Sequence, residues 1–175
     1  MTVLRPIAFE AMAFARQVHR DQVRKYTGNP YADHLAEVAG IVATVAPPAD
    51  AEEMIAAGWL HDCVEDQDVT ITDIELRFGC VVACWVETLS DLEPGNRAER
   101  KAASRARLGR ACREVQTIKC ADLISNTSSI VQHDPKFAKV YLAEKLRLLD
   151  VMRDADPRLW NMAQAQANAG LRALA

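Results

Sequence analysis

No run of apolar residues in the chain approaches the roughly 20 that a membrane-spanning helix needs, and no signal-peptide pattern precedes the first helical stretch. Nor is there a CxxC pair. The cysteines are five (Cys63, Cys80, Cys84, Cys112 and Cys120), an odd number without a second cluster, which argues against a disulfide framework. A cytoplasmic protein with reduced thiols is therefore expected. Cys80 and Cys84 lie four apart, side by side on a helix, and read as small core residues rather than as a metal or redox pair. A strong excess of charge of either sign is also missing: the formal net charge is −3 and the pI is near 5.8. That balance argues against a general nucleic-acid or membrane-surface partner. Repeats and low-complexity linkers are absent as well and period-two strand alternation is nearly so, which points to an all-α chain.

What is present is helical periodicity along 175 residues, half of them apolar, enough for one buried core and one domain. Ile7, Ala11, Phe14 and Val18 mark a stripe behind Pro6, a proline suited to a first helical turn. After Gly28, Asn29 and Pro30, a second helix carries Val38, Ile41, Val42 and Val45 inward until Pro47 and Pro48 end it. Asp50 with Glu53 has the spacing of a capping box, and it opens a third helix through Met54, Ile55 and Gly58 into HDCVED at residues 61–66. A shorter helix near Thr72 ends at Gly79. Another reaches about Asp91, and further helices begin near Arg97, Val115, Pro135 and Pro157.

Several ionisable residues fall on the inward faces of these helices. His61 follows Met54 by seven and Gly58 by three; Asp62 follows Ile55 by seven and Gly58 by four. His34 precedes Val38 by four and Ile41 by seven, and Asp122 follows Ile118 by four and Val115 by seven. An inward carboxylate without a partner costs several kcal/mol, so it is neutralised by a neighbour or by a metal. Two histidines and two aspartates on three helices suit a divalent ion such as Mn²⁺, Fe²⁺ or Zn²⁺. The alternative is four separately satisfied buried polar residues. Glu65 and Asp66 repeat the two faces one turn later, placed to orient or deprotonate water if a metal is held above them, or else simply solvated.

The stretches HRDQVRKYTGNPYADH (19–34), WLHDCVED (59–66) with ITDIELRFG (71–79), and IKCADLISNT (118–127) occur in the order that resembles the HD-domain hydrolases of the RelA/SpoT type, specifically the stand-alone small alarmone hydrolases similar to the metazoan SpoT homolog. The resemblance implies a single HD-type phosphohydrolase domain over residues 1–175, a helical bundle of roughly eight to ten helices. It implies His34, His61, Asp62 and Asp122 as ligands of Mn²⁺, with Glu65 and Asp66 as catalytic acids. The implied activity is removal of the 3′-pyrophosphate from guanosine tetra- or pentaphosphate, and the chain has no room for a nucleotide-synthetase domain. Arg24 and Lys25 match a substrate-contacting RK pair, Asn126 matches the asparagine of an ADxxxN pattern, and Tyr141 matches a tyrosine near the substrate.

Residues 97–113 hold seven basic side chains (Arg97, Arg100, Lys101, Arg105, Arg107, Arg110, Arg113) against Glu99 alone. Arg97 and Lys101 are further candidates for a polyanionic nucleotide, a solvated or regulatory face being the alternative. Two departures from the family pattern bear on the substrate. Leu35 stands where a proline commonly follows the metal histidine, and residues 125–129 read SNTSS where the long enzymes have an HNMRT-like run. Adenosine alarmones and the 2′-phosphate of NADPH are therefore alternative substrates. A non-catalytic alarmone-binding module is a third reading, which Glu65 and Asp66 oppose.

Overall fold

The computed structural model describes residues 6–175, the Ser128 side chain apart. The described residues form ten helical segments and no strand; an isolated bridge pairs Val23 with Pro30. The protein is all-α, as the periodicity predicts. The helices fall into two compact units, one running to Arg24 and from Gly28 to Ser90, the other comprising Lys25–Thr27 and Asp91–Ala175.

In the first unit, α3 (Ala51–Leu60) is the central element and packs against α1 (Ile7–Val18), α2 (Tyr31–Ala43) and α6 (Cys80–Leu89). Its MIAAGWL run explains this position, because Met54 and every residue from Ala56 to Leu60 are buried. Small residues let the helices approach closely: a Cβ on Gly58 would lie 3.2 Å from the Ala39 Cα of α2. α5 (Ile71–Phe78) packs on α6 and opens on a capping box. The Asp73 N–H donates to Thr70 Oγ1 (3.1 Å), and the Thr70 hydroxyl (2.6 Å) and N–H (2.9 Å) both donate to Asp73 Oδ2, the hydroxyl first and the N–H second holding the Asp73 carboxyl below its ordinary pKa. Gly79, at φ +87°, supplies the left-handed backbone between α5 and α6.

Several local expectations are corrected here. Pro6 caps α1 rather than entering its first turn, and α2 stops at Ala43, before the prolines. Asp50 caps α3 without a side-chain hydrogen bond, because its φ of −117° and ψ of 5° depart from the extended backbone from which a capping side chain reaches. The third helix does not continue through HDCVED. It ends at Leu60, His61 and Asp62 occupy a turn, and α4 (Cys63–Asp66) is a separate single turn. Cys80 and Cys84 are exposed, not core, because α6 turns Val82, Ala83, Val86 and Leu89 inward.

The second unit is built on α8 (Arg113–His133), packed by α9 (Pro135–Leu149) and α10 (Pro157–Ala173), with α7 (Arg97–Leu108) on α9. α8 is buried from Val115 to Ile118 and from Cys120 to Ser125, as a helix surrounded by neighbours must be. Asn96 and Glu99 form the capping box of α7, while Asp134 and Asp156 cap α9 and α10 ahead of first-turn prolines. The buried Gln116 side chain ties the inter-helix turns, donating to the Leu108 and Ala111 carbonyls and accepting from the Asp154 N–H. No helix among the described residues is long and apolar enough to cross a membrane.

Candidate metal centre and catalytic acids

His34 stands in the first turn of α2 and His61 caps the end of α3, both almost wholly buried. The His61 Nδ1–H donates to the Gly58 carbonyl (2.9 Å), satisfying a helix-terminal acceptor and leaving the lone pair on Nε2. Asp62 Oδ2 lies 3.1 Å from His61 Nε2 and 3.5 Å from His34 Nε2. The Tyr31 hydroxyl donates to the same oxygen (2.5 Å). Two imidazoles and a carboxylate thus converge in a cluster that can hold a metal ion, with the rings 5.3 Å apart at 67°. Breaking the helix after Leu60 is what sets this geometry. In the turn, Asp62 swings beside both rings instead of following its helical register.

Glu65 and Asp66 lie exposed on α4, one turn beyond His61 and Asp62. Gln22 Nε2 donates to Asp66 Oδ2 (2.8 Å). Gln22 also meets His19, a buried histidine stacked on Tyr31 with centroids 5.1 Å apart. Burial holds the His19 imidazole below the ordinary histidine pKa, against the opposing pull of Gln22, Asp62 and Asp66. Cys63 is buried beside these acids, and desolvation pushes its thiol far up, so it is an inert core residue. Arg24 pairs with Glu37 (3.3 Å) in the same unit.

Asp122 lies in the second unit, buried on α8. Lys119 Nζ is 2.7 Å from its Oδ2, and Asn126 Nδ2 donates to its Oδ1 (2.6 Å). One turn deeper, Lys145 of α9 is only 2% exposed; its ammonium donates to the Leu123 carbonyl (3.0 Å) and to Thr127 Oγ1 (2.6 Å). Burial lowers its pKa to about 8, with Asp122 opposing the shift. Ser125 and Thr127 are buried, so two of the SNTSS positions belong to helix packing; the side chain of Ser128 lies outside the described residues. Tyr141 is half-buried on α9. Lys25 lies over the Tyr26 ring, 5.1 Å from its centroid.

Four of the seven basic residues at 97–113 are held by acids outside the stretch. Arg97 forks onto Glu144 (2.9 and 2.5 Å), Lys101 meets Asp91 (2.8 Å), Arg107 meets Asp91 and Glu93, and Arg113 meets Asp156 (3.3 Å). The sequence reading did not single out Tyr31, Gln22, Lys119 or Lys145. Spacing marks three of them: Tyr31 and Lys119 each precede an inward residue by three, and Lys145 interrupts the apolar series Leu142, Leu149.

A family model described as HD domain matches residues 11–169. The human guanosine-3′,5′-bis(diphosphate) 3′-pyrophosphohydrolase MESH1 is 34% identical over 128 residues, covering 73% of this chain and 71% of the human protein. A probable enzyme of the same description from Synechocystis is 36% identical over 132 residues, 72% of this chain, but the match spans only 17% of that longer protein. Among solved structures, a metazoan ortholog of SpoT described as hydrolysing ppGpp superposes with a TM-score of 0.83 at 25% identity, covering 99% of this chain and 98% of the other. The Listeria monocytogenes protein lmo0812 shares the fold, with a TM-score of 0.69 at 24% identity over 84% of this chain and 99% of that one.

Proposed function

The chain belongs to the HD-domain family, and from that premise we propose that it is a metal-dependent phosphohydrolase that cleaves the 3′-pyrophosphate of guanosine tetra- or pentaphosphate to give pyrophosphate and GDP or GTP. The observation that carries the reading is the convergence of His34 Nε2 and His61 Nε2 on Asp62 Oδ2, with Glu65 and Asp66 one turn later. The activity borne by the names of the human and Synechocystis relatives supports it. Residues 1–175 act in this reading as one HD-type domain, and its five free cysteines suit a cytoplasmic location.

His34, His61, Asp62 and Asp122 would hold the ion, Mn²⁺ first and Fe²⁺ or Zn²⁺ as alternatives. The donor set fits, since the His61 Nδ1–H is committed to Gly58 and its Nε2 lone pair is left for a cation. When bound, the ion supplies Lewis-acid polarisation of the phosphoryl oxygens and makes water more acidic. Tyr31 steadies the Asp62 carboxylate through its hydroxyl. Glu65 and Asp66 orient the attacking water and accept its proton, while the ribose 3′-oxygen leaves and is protonated. Arg24 and Lys25 offset the phosphate charge or stack on the base. Asn126, Tyr141, Arg97 and Lys101 complete the nucleotide contacts.

The SNTSS departure favours a second reading in which the base or the phosphorylated position differs, as in adenosine alarmones or NADPH. The deciding experiment is phosphate or pyrophosphate release from guanosine tetraphosphate, its adenosine counterpart and NADPH by purified protein with Mn²⁺, beside Asp122→Ala. Metal-dependent pyrophosphate release from guanosine tetraphosphate, lost in the variant, is expected. Turnover of another nucleotide alone moves the assignment to it. No turnover by a folded, metal-loaded protein overturns the hydrolase.

A further inference from the structure

Gln22 sits in the turn beyond α1 with its main chain held at both ends: its N–H donates to the His19 carbonyl (3.0 Å), and its carbonyl accepts from the Tyr31 N–H (2.9 Å). Its side-chain amide makes three contacts. Nε2 donates to Asp66 Oδ2 (2.8 Å), and Oε1 meets His19 Nδ1 (2.5 Å) and Gln67 Nε2 (2.6 Å). An ionised carboxylate only accepts, so the Asp66 contact dictates which end of the amide carries the hydrogens. The oxygen end must then receive protons from Gln67 and from His19 Nδ1. His19 cannot easily turn away, being 1% exposed and stacked on Tyr31, with its Nε2 buried and free of any hydrogen-bond partner among the described residues. The amide is therefore clamped from the buried side and presents a fixed donor to the exposed side.

Asp66, by contrast, ends a four-residue helical turn and is exposed. So short an element does not by itself select one rotamer of a solvent-facing carboxylate. We propose that Gln22 is a positioning residue for the hydrolysis, holding Asp66 Oδ2 so that Oδ1 is left to order the attacking water. This rests on the reading of Asp66 as a catalytic acid. Nothing in the charge pattern points to Gln22, since it is neutral and lies 44 residues from its carboxylate.

Gln22→Glu is the discriminating variant. It is isosteric and keeps an oxygen for the His19 and Gln67 donors, while turning a second oxygen towards Asp66. A role confined to anchoring His19 survives that change; a role in positioning Asp66 does not. With guanosine tetraphosphate and Mn²⁺, kcat is expected to fall roughly 10- to 100-fold, the scale of a misplaced catalytic group, with KM and bound Mn²⁺ near wild type. Adding Gln22→Glu to Asp66→Asn should cost nothing further, as coupled residues require. Wild-type kcat in Gln22→Glu, loss of Mn²⁺, or an equal fold-loss on top of Asp66→Asn overturns the proposal. If the wild type turns over none of the three nucleotides, the proposed function has failed instead. The Gln22 contact is then read by NMR, where the Gln22 side-chain NH₂ resonances must move on Asp66→Asn; unmoved resonances overturn it independently of activity.

Discussion

Asp62 and Glu65 stand three residues apart in one motif, yet their surroundings differ, and the roles proposed for them differ accordingly. Asp62 is bounded by two imidazoles and a tyrosine hydroxyl, while Glu65 faces solvent. Asp62→Ala should therefore lose bound metal and turnover together. Glu65→Gln should keep its metal and lose rate by about 10²-fold, the effect of removing a positioned acid or base. Metal analysis and initial rates on the same preparations check both. Lys145 makes a second prediction at this scale. Its folded pKa of about 8 lies below the ordinary 10.5, so the folded state releases a proton before the unfolded chain does. The charged, buried lysine weakens the fold below about pH 8, and stability is regained as pH rises towards 10.5. The gap between the two values corresponds to roughly 3 kcal/mol. Urea unfolding of wild type against Lys145→Met should show their stability difference shifting in the wild type's favour by about that amount between pH 7.5 and 10.5. A pH-independent difference would refute the shift.

Helix ends separate the pattern in the sequence from the interaction that forms. Asp50 and Glu53 have capping-box spacing, yet Asp50 makes no cap bond; Asn96 with Glu99 makes the full reciprocal pair. Asn96→Ala should cost about 1 kcal/mol, whereas Asp50→Ala should cost only a few tenths, by urea denaturation. Helix starts at Arg97, Pro135 and Pro157 were legible because a cap or a proline declares them locally. The break after Leu60 was not, because apolar spacing runs unbroken through HDCVED and only the fold shows the turn at 61–62. Likewise the facing of α6 was hidden, since CVVACWVETL is apolar on too many sides for spacing alone to choose between Cys80 and Val82.

At the scale of the whole chain, metal binding and folding are linked. An ion held by the folded protein and not by the unfolded chain raises the melting temperature with concentration; at about 100-fold over Kd the gain is near 2.7 kcal/mol, roughly 5–10 °C for this size. Mn²⁺ titration of the chelated wild type should show that rise, and His61→Ala should not. A rise of equal size in both would place the stabilising ion elsewhere. By itself the sequence determined the all-α class, the inward faces of His34, His61 and Asp122, and the family, because helical period and motif order are local properties of the chain. Only the tertiary structure decided that Asp62 leaves its helix to stand between two imidazoles, that Gln22 reaches Asp66 across 44 residues, and that acids outside residues 97–113 hold four of its basic side chains. Such partners are chosen by packing between segments distant in sequence, which no spacing along one helix encodes.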